Sequence, residues 1–174
     1  MSRFIKYFLI TIFLIFSSDL LAQEKIAILD LKYVLNQSKA GKGAQDFLKK
    51  SYSQNIKKFK DIEASLKKEE ADLLSKKTVL SKEEYTKKSD TLRKKVIDFR
   101  SQRRAAMDKI TTQRTESRAI LIKSITPILE TYIKENNISV VMNKVHTLGG
   151  NPENDITKII VDKLDKVLPS LDLK

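Results

Sequence analysis

The chain has 174 residues, no cysteine, and a formal net charge of +12 at neutral pH, with 34 Lys and Arg against 22 Asp and Glu. The absence of cysteine excludes disulfides, thiolate catalysis and cysteine-ligated metal sites. The basic excess favours partners that carry negative charge, such as acidic polypeptides, lipid headgroups or nucleic acid.

Residues 1–22 have the pattern of a secretory signal peptide. Basic Arg3 and Lys6 precede an apolar run at 7–16, and the segment ends in the small residue Ala22. The run is too short to span a bilayer, which needs roughly 20 helical residues. We expect export to the periplasm with cleavage after Ala22; the alternative is an uncleaved membrane anchor. Export argues against nucleic acid as a partner.

A short apolar run opens the predicted mature chain. Residues 25–31 include β-branched Ile26 and Ile28 and predict a buried strand. Helical spacing follows from Leu31, and residues 38–43 (S-K-A-G-K-G) are predicted to interrupt the chain before the next helix. This segment is not a phosphate-binding loop, because that motif needs G-x-x-x-x-G-K followed by Ser or Thr.

Residues 44–126 contain no glycine and no proline and predict the dominant helical element. Apolar residues recur every seven positions, which is typical of a coiled-coil seam. They are Tyr52, Phe59, Leu66, Leu73 and Leu80, followed by Tyr85, Leu92, Phe99 and Ala106. The repeat changes phase after Leu80, where Ser81 and Glu84 form the S-x-x-E pattern that begins a helix. The pattern predicts two antiparallel helices joined near 78–81, each roughly 55–70 Å long.

The hairpin holds most of the excess positive charge. Residues 44–126 contain 22 Lys and Arg against 12 Asp and Glu, a net charge of +10. Such side chains either attract acidic partners from a distance or form an ordinary solvated surface. The candidates are Lys57, Lys58, Lys67, Lys94, Arg103 and Arg104. Polar residues such as Asn55 and Ser89 interrupt the seam, so the arms are expected to pack loosely or to use these residues to set their register.

After the hairpin the chain becomes more apolar. Pro127 is predicted to kink or restart the helix after Thr126, which can cap it. Residues 139–142 predict a second strand and residues 145–148 a weak third strand. Asp155 is predicted to cap a last amphipathic helix.

The strands come from both ends of the mature chain, so residues 23–43 and 127–174 are predicted to form one small body at the base of the hairpin. The predicted fold class is α+β, predominantly α. Candidates for the body core or for an oligomer interface are Ile26, Ile28, Val140, Val141, Ile160 and Leu164. A core of this size and its open strand edges favour oligomerisation through the body.

The sequence has no catalytic or metal-binding pattern. The lone His146 has no second His, Cys or carboxylate at metal-ligand spacing, and no serine lies in a nucleophile motif. We therefore predict no catalytic residue, no metal and no cofactor, and a protein that is not an enzyme.

Several segments together resemble the Skp (OmpH) family of periplasmic chaperones. They are K-I-A-I-L-D-L-K-Y-V-L at 25–35, the basic hairpin, I-S-V-V-M-N at 138–143 and N-D-I-T-K-I-I-V-D-K-L at 154–164. The resemblance implies a homotrimer whose bodies join in a small β-barrel and whose three hairpins enclose a cavity. It further implies an ATP-independent holdase for unfolded outer-membrane proteins. The chain departs from the family pattern after Asn143, where K-V-H-T-L-G-G replaces a more regular apolar strand.

For a chaperone of this kind, some apolar hairpin residues are expected to face the client. The candidates are Phe59, Leu66, Tyr85, Leu92 and Phe99, although for each residue taken alone the seam between the two arms is the favoured place. Two other functions remain open. One is a structural coiled-coil spacer of the envelope, and the other is a peripheral binder of anionic lipid or lipopolysaccharide.

Overall fold

The computed structural model describes residues 24–173, so the predicted signal peptide lies outside the described residues. The predominantly helical α+β prediction is confirmed. In chain order the elements are β1 (Lys25–Leu29), α1 (Leu31–Gln37), α2 (Lys39–Ser75), α3 (Lys82–Glu135), β2 (Ile138–Asn143), 3-10 turns at Lys144–His146 and Pro152–Asn154, and α4 (Thr157–Val167).

The helices α2 and α3 form the long antiparallel hairpin. The predicted capping box is present: Ser81 Oγ accepts from the backbone N–H of Glu84 at 3.2 Å, and Glu84 Oε2 accepts from the N–H of Ser81 at 3.3 Å. The connection at 76–81 contains the predicted junction at 78–81, since α2 ends at Ser75. The local start signal therefore sets where the chain turns back.

The start of α2 differs from the prediction. Residues 38–43 do not interrupt the chain, because α2 begins at Lys39 and includes both Gly41 and Gly43. The break between α1 and α2 is confined to Ser38, whose buried hydroxyl accepts from the N–H of Gly41 at 3.2 Å. Gly41 allows this tight bend, since a Cβ there would overlap the backbone carbonyl oxygen of Leu35.

The predicted restart of the helix after Thr126 is also wrong, because α3 continues through Pro127 to Glu135. An interior proline removes one backbone hydrogen bond and costs about 3 kcal/mol. Ile125 is buried on one side of it, and Ile128 and Leu129 pack against the same core on the other. Burial on both sides holds the helix together. Thr126 does not cap a new helix, because its hydroxyl donates to the carbonyl oxygen of Ile122.

The two strands pair in parallel, with Ile26 opposite Val140 and Ala27 opposite Val141. Alternation along β1 turns Ala27 and Leu29 into the core. Neither Ile26 nor Ile28, both candidates for the body core or for an oligomer interface, lies in the buried core of the body: Ile26 is exposed and Ile28 is half-buried. On β2, Val140 is likewise exposed and Val141 packs against the core.

The core of the body lies between the sheet, α1, α4 and the last turns of α3. Ile160, Leu164 and Val34 are fully buried at its centre. The surrounding buried residues are Ala27, Leu29, Leu35, Ala40, Leu121, Ile125, Ile138, Ile156 and Val161. The end of α3 is thus part of the body, so the hairpin is anchored in the same core that holds the strands.

The predicted third strand at 145–148 is not formed. Residues Lys144–His146 make a 3-10 turn in which Asn143 Oδ1 accepts from the N–H of Val145 at 3.3 Å. An asparagine that bonds the backbone two residues ahead offers the chain a turn instead of a ladder. His146 lies exposed in this turn.

A salt bridge joins the end of β2 to the start of α4. Lys144 Nζ donates to Asp155 Oδ2 at 2.7 Å, and Asp155 Oδ1 accepts from the N–H of Thr157 at 3.0 Å. The N-cap position is occupied by Ile156, which has no capping side chain, and Asp155 one residue earlier accepts from the first N–H of the helix. Partial burial acts to raise the pKa of the Asp155 carboxyl, but the hydrogen bonds from Lys144 and Thr157 together lower that pKa below its ordinary value of 3.8.

Replacing Asp155 with asparagine should reduce the free energy of unfolding at neutral pH by about 1 kcal/mol or less, because the ion pair is partly exposed. A carboxyl whose pKa is lowered by folding stabilises the fold above its unfolded-state pKa of 3.8 and loses that effect as the pH falls through the folded-state pKa. Urea titrations should therefore find a constant difference between wild type and variant from about pH 5 to 9 and a shrinking one below about pH 4. A difference unchanged at about pH 2 would contradict this assignment.

Candidate binding surface

The seam between α2 and α3 is closed near the body and open toward the tip. Buried side chains fill the base of the seam, among them Leu48 of α2 and Ile110 of α3. Phe59 is the buried residue of α2 that lies nearest to the tip. The structure describes every residue from 60 to 109, and none of these is buried. Apolar side chains in this outer half, such as Leu66 and Leu92, remain half-buried and are available to a partner.

Phe59 marks the boundary between the two halves. Its side chain is 4% exposed and packs edge to face on Phe99, with ring centroids 6.0 Å apart. The prediction that Phe59 contacts a client is therefore wrong, because the residue is enclosed between the two arms. Phe99 is only half-buried, and its other side lines a groove.

That groove runs along one side of the outer hairpin and has a volume of about 890 Å³. We call it the arginine face. It is lined by Glu63, Leu66, Lys67 and Glu70 of α2 and by Ser89, Leu92, Arg93, Val96, Ile97, Phe99, Arg100, Arg103, Arg104 and Met107 of α3. Its floor is apolar, and Ile97 within it is 58% exposed. The rim carries four arginines, so the groove can take up apolar and acidic groups together.

The carboxylates of the arginine face leave part of its positive charge unpaired. Lys67 Nζ lies 2.9 Å from Glu63 Oε1, and the hydrogen bond and charge of Lys67 lower the pKa of Glu63, to which the charge of Arg103 adds. Arg93 and Arg104 lie near carboxylates of their own helix at 3.7 and 3.8 Å. Among the described residues, no carboxylate lies within 4.0 Å of Arg100 or Arg103, so both guanidinium groups can bind a partner.

The opposite side of the same seam has a different chemistry. We call it the lysine face. It is lined by Glu69, Asp72, Leu73, Lys76, Glu84, Lys87, Lys88, Thr91, Leu92 and Lys95. Only Leu73 and Leu92 are apolar there, and Lys95 Nζ bridges the two arms by binding Glu69 Oε2 at 2.7 Å. The lysine face is therefore a polar surface that joins the arms.

The structure brings together about half of the residues predicted to bind. Leu66, Leu92, Phe99, Lys67, Arg103 and Arg104 all line the arginine face. Tyr85 is half-buried and lines neither face. Lys57 and Lys58 lie on α2 beside Phe59, and Lys94 lines a shallow surface of α3 near the tip.

Eight residues of the arginine face were not predicted as binding residues. Besides Glu63, Glu70, Ser89 and Val96, they include four residues on one flank of α3: Arg93, Ile97, Arg100 and Met107. Their spacing of three, four and seven along α3 places them on one side of the helix. That spacing is a signal which the sequence contains. The heptad repeat does not reveal it, because the repeat marks the seam and these four residues lie beside the seam.

Two further features of the described chain bear on function. Among residues 24–173 there is no group of three His, Cys, Asp or Glu side chains placed to hold a metal ion. Within the same residues no helix is both long and apolar enough to cross a membrane.

Fold and surface together define a class: a long basic helical hairpin with an apolar groove, carried on a small body of two parallel strands and short helices. The family model described as outer membrane protein (OmpH-like) matches residues 25–164. The chain belongs to this OmpH-like family, and the resemblance predicted from the sequence is confirmed.

Known proteins agree with this assignment. A Skp-like protein from Pseudomonas aeruginosa is 22% identical over 171 residues, which cover 96% of this chain and 99% of that protein. A crystal structure from Caulobacter crescentus, assigned as an outer membrane chaperone (OmpH-like), superposes with a TM-score of 0.79 at 18% identity. The match covers 88% of this chain and 90% of that one, so the two proteins share a fold.

Proposed function

We propose that this protein is an ATP-independent holdase chaperone that binds unfolded outer-membrane proteins in the periplasm. The observation that carries the proposal is the arginine face, an exposed apolar groove with unpaired positive charge on an arm whose seam is open. Membership of the OmpH-like family and the chaperone assignment of the Caulobacter crescentus structure support it. The predicted signal peptide of residues 1–22 supports the compartment.

Holding an unfolded chain requires many weak contacts. Half-buried side chains such as Leu66 and Leu92 offer part of their apolar surface, and each such contact contributes well under about 1 kcal/mol. Several contacts on linked arms raise the effective concentration of each further contact, so affinity accumulates. No single contact needs to be broken at high cost, so release proceeds without nucleotide hydrolysis.

The outward side of the sheet supports assembly into the homotrimer that the family resemblance implies. Ile26, Val140 and Met142 are 42%, 49% and 40% exposed on that side. Parallel sheets are ordinarily covered on both sides, and unpaired strand edges attract further strands. Three copies that close their sheets into a small barrel would cover these side chains and direct three hairpins around a common cavity.

The test is the mass of the mature protein in solution together with its ability to keep a diluted, unfolded β-barrel protein soluble without nucleotide. We expect a trimer that suppresses aggregation. Val140→Asp places a charge on the outward side of the sheet and should give a folded monomer with weaker suppression. A wild-type protein that suppresses no aggregation would contradict the chaperone proposal and leave a structural spacer.

The hairpin tip favours a second candidate function, binding to an anionic lipid surface. Val79 is 83% exposed and Leu74 57% exposed at the tip, next to Lys76, Lys77 and Lys82. Apolar side chains among lysines suit the boundary of an anionic bilayer. Co-sedimentation with acidic but not neutral vesicles, lost at high salt, distinguishes this function from client holding.

A further inference from the structure

The two sides of the outer hairpin differ more than a uniform coiled coil would require. The arginine face has six apolar residues in its floor, whereas the lysine face has two. Among the described residues, no carboxylate lies within 4.0 Å of Arg100 or Arg103 on the first face or of Lys87 or Lys88 on the second, so the free cations are guanidinium groups on one side and ammonium groups on the other. The two faces therefore offer a partner different surfaces.

We infer that the arginine face alone contacts the client, and that it selects extended polypeptide segments in which apolar side chains adjoin carboxylates. This inference rests on the proposed holdase function and deepens it. The floor formed by residues such as Ile97 and Phe99 accepts the apolar side chains. Guanidinium groups bind carboxylates through paired hydrogen bonds, which ammonium groups cannot do.

The length of the groove fits a short extended segment. On α3 the lining extends from Ser89 to Met107, eighteen positions apart, which is about 27 Å of helix. A strand rises about 3.3 Å per residue, so about eight client residues would run beside this part of α3. Arg93 and Arg104 lie toward the two ends of this stretch, so a bound segment would have a guanidinium group near each end.

A second copy of the hairpin does not suit the same surface. Four arginines and Lys67 line the arginine face against Glu63 and Glu70, so two such faces would repel each other. Acidic and apolar groups complement the face in both charge and polarity. An unfolded chain supplies both kinds of group within a few residues.

A tryptophan reporter tests where the client lies, because the chain has no tryptophan of its own. Ile97→Trp reports from the arginine face and Thr91→Trp from the lysine face. The probes are two peptides of about eight residues, one alternating Leu with Glu and its twin alternating Leu with Lys. We expect a blue shift of Ile97→Trp emission with the acidic peptide and none of Thr91→Trp. An equal shift of both reporters would overturn the inference.

Charge reversal tests selectivity. The double variant Arg100→Glu/Arg103→Glu, made with Ile97→Trp, should weaken binding of the acidic peptide at least about tenfold and make the basic twin the better ligand. Lys87→Glu/Lys88→Glu on the lysine face changes the net charge equally and should keep the original preference. All four positions are exposed, so circular dichroism should find both double variants folded.

The outcomes separate the two proposals. If both double variants lose the acidic peptide equally, attraction depends on net charge and the inference is wrong, although aggregation suppression by the wild type would still support the holdase. A wild type that suppresses no aggregation removes the holdase itself. If phosphatidylglycerol vesicles shift Ile97→Trp emission and the acidic peptide does not, the arginine face binds lipid and the inference is overturned.

Discussion

Replacing Gly41 with alanine should destabilise the body by about 3 kcal/mol, the upper end of the cost of overpacking. A Cβ at this position would overlap the backbone carbonyl oxygen of Leu35 and would lie 2.9 Å from Ser38 Oγ. The overlapping atom belongs to the backbone of α1, so no rotamer change relieves it. The bend between α1 and α2 would have to open, and Val34, which is fully buried beside it, would lose its packing.

Gly43 provides a matched control two residues away in the same helix. A Cβ at Gly43 meets no atom within 4 Å. Alanine inside a helix is favoured over glycine by about 0.5–1 kcal/mol, so Gly43→Ala should stabilise the protein. Urea unfolding followed by circular dichroism should move the midpoint in opposite directions for the two variants. Equal midpoints would mean that the α1–α2 bend is not fixed by Gly41.

Local chemistry made the hairpin predictable. The heptad repeat from Tyr52 onward and the capping box of Ser81 and Glu84 involve residues that are close in sequence. The helices that they predict therefore do not depend on the rest of the fold. The helix restart after Thr126 was wrongly predicted, because Ile125 and Ile128 on either side of Pro127 make core contacts with elements that are distant in sequence. These contacts are not visible in the local sequence.

The phase of β1 could not be obtained from its sequence. Ile26, Ala27, Ile28 and Leu29 are all apolar, so alternation offers no polar position to mark the outward side. In the structure Ala27 and Leu29 belong to the buried cluster that contains Ile138 of β2 and Ile160 of α4. Ile26 consequently faces outward beside Val140 and Met142, which is the main reason to propose an oligomer interface on that side.

The difference between the two hairpin faces also depends on three-dimensional structure. Basic residues are spread evenly along α3, so charge alone does not separate Lys94 from Arg100. Their angular positions separate them: Arg100 lines the groove between the arms, and Lys94 lies on a shallow surface near the tip. Which charges remain unpaired depends in turn on carboxylates of the other arm, such as Glu63 and Glu69.

Phe59→Ala should have the second large effect, lowering the free energy that holds the outer hairpin folded by about 3 kcal/mol or more. Phe59 is buried between the arms, and its contact with Phe99 is the aromatic pair that closes the seam at the start of the open half. Residues 60–109 contain no buried side chain to compensate for the cavity. The outer hairpin should therefore separate more easily, whereas the body around Ile160 should keep its packing.

Hydrogen exchange distinguishes this local effect from global unfolding. Amide protection should fall across residues 60–109 in Phe59→Ala and should remain unchanged around Val34 and Leu164. Tyr52→Ala is the control, because Tyr52 is 50% exposed and occupies the equivalent heptad position one heptad before Phe59. It should cost less than about 1 kcal/mol. If the two variants lose protection equally, Phe59 is not the residue that closes the seam.

If only Phe59→Ala loses protection, binding of both charged peptides should weaken together in that variant, because the floor of the arginine face is built from both arms.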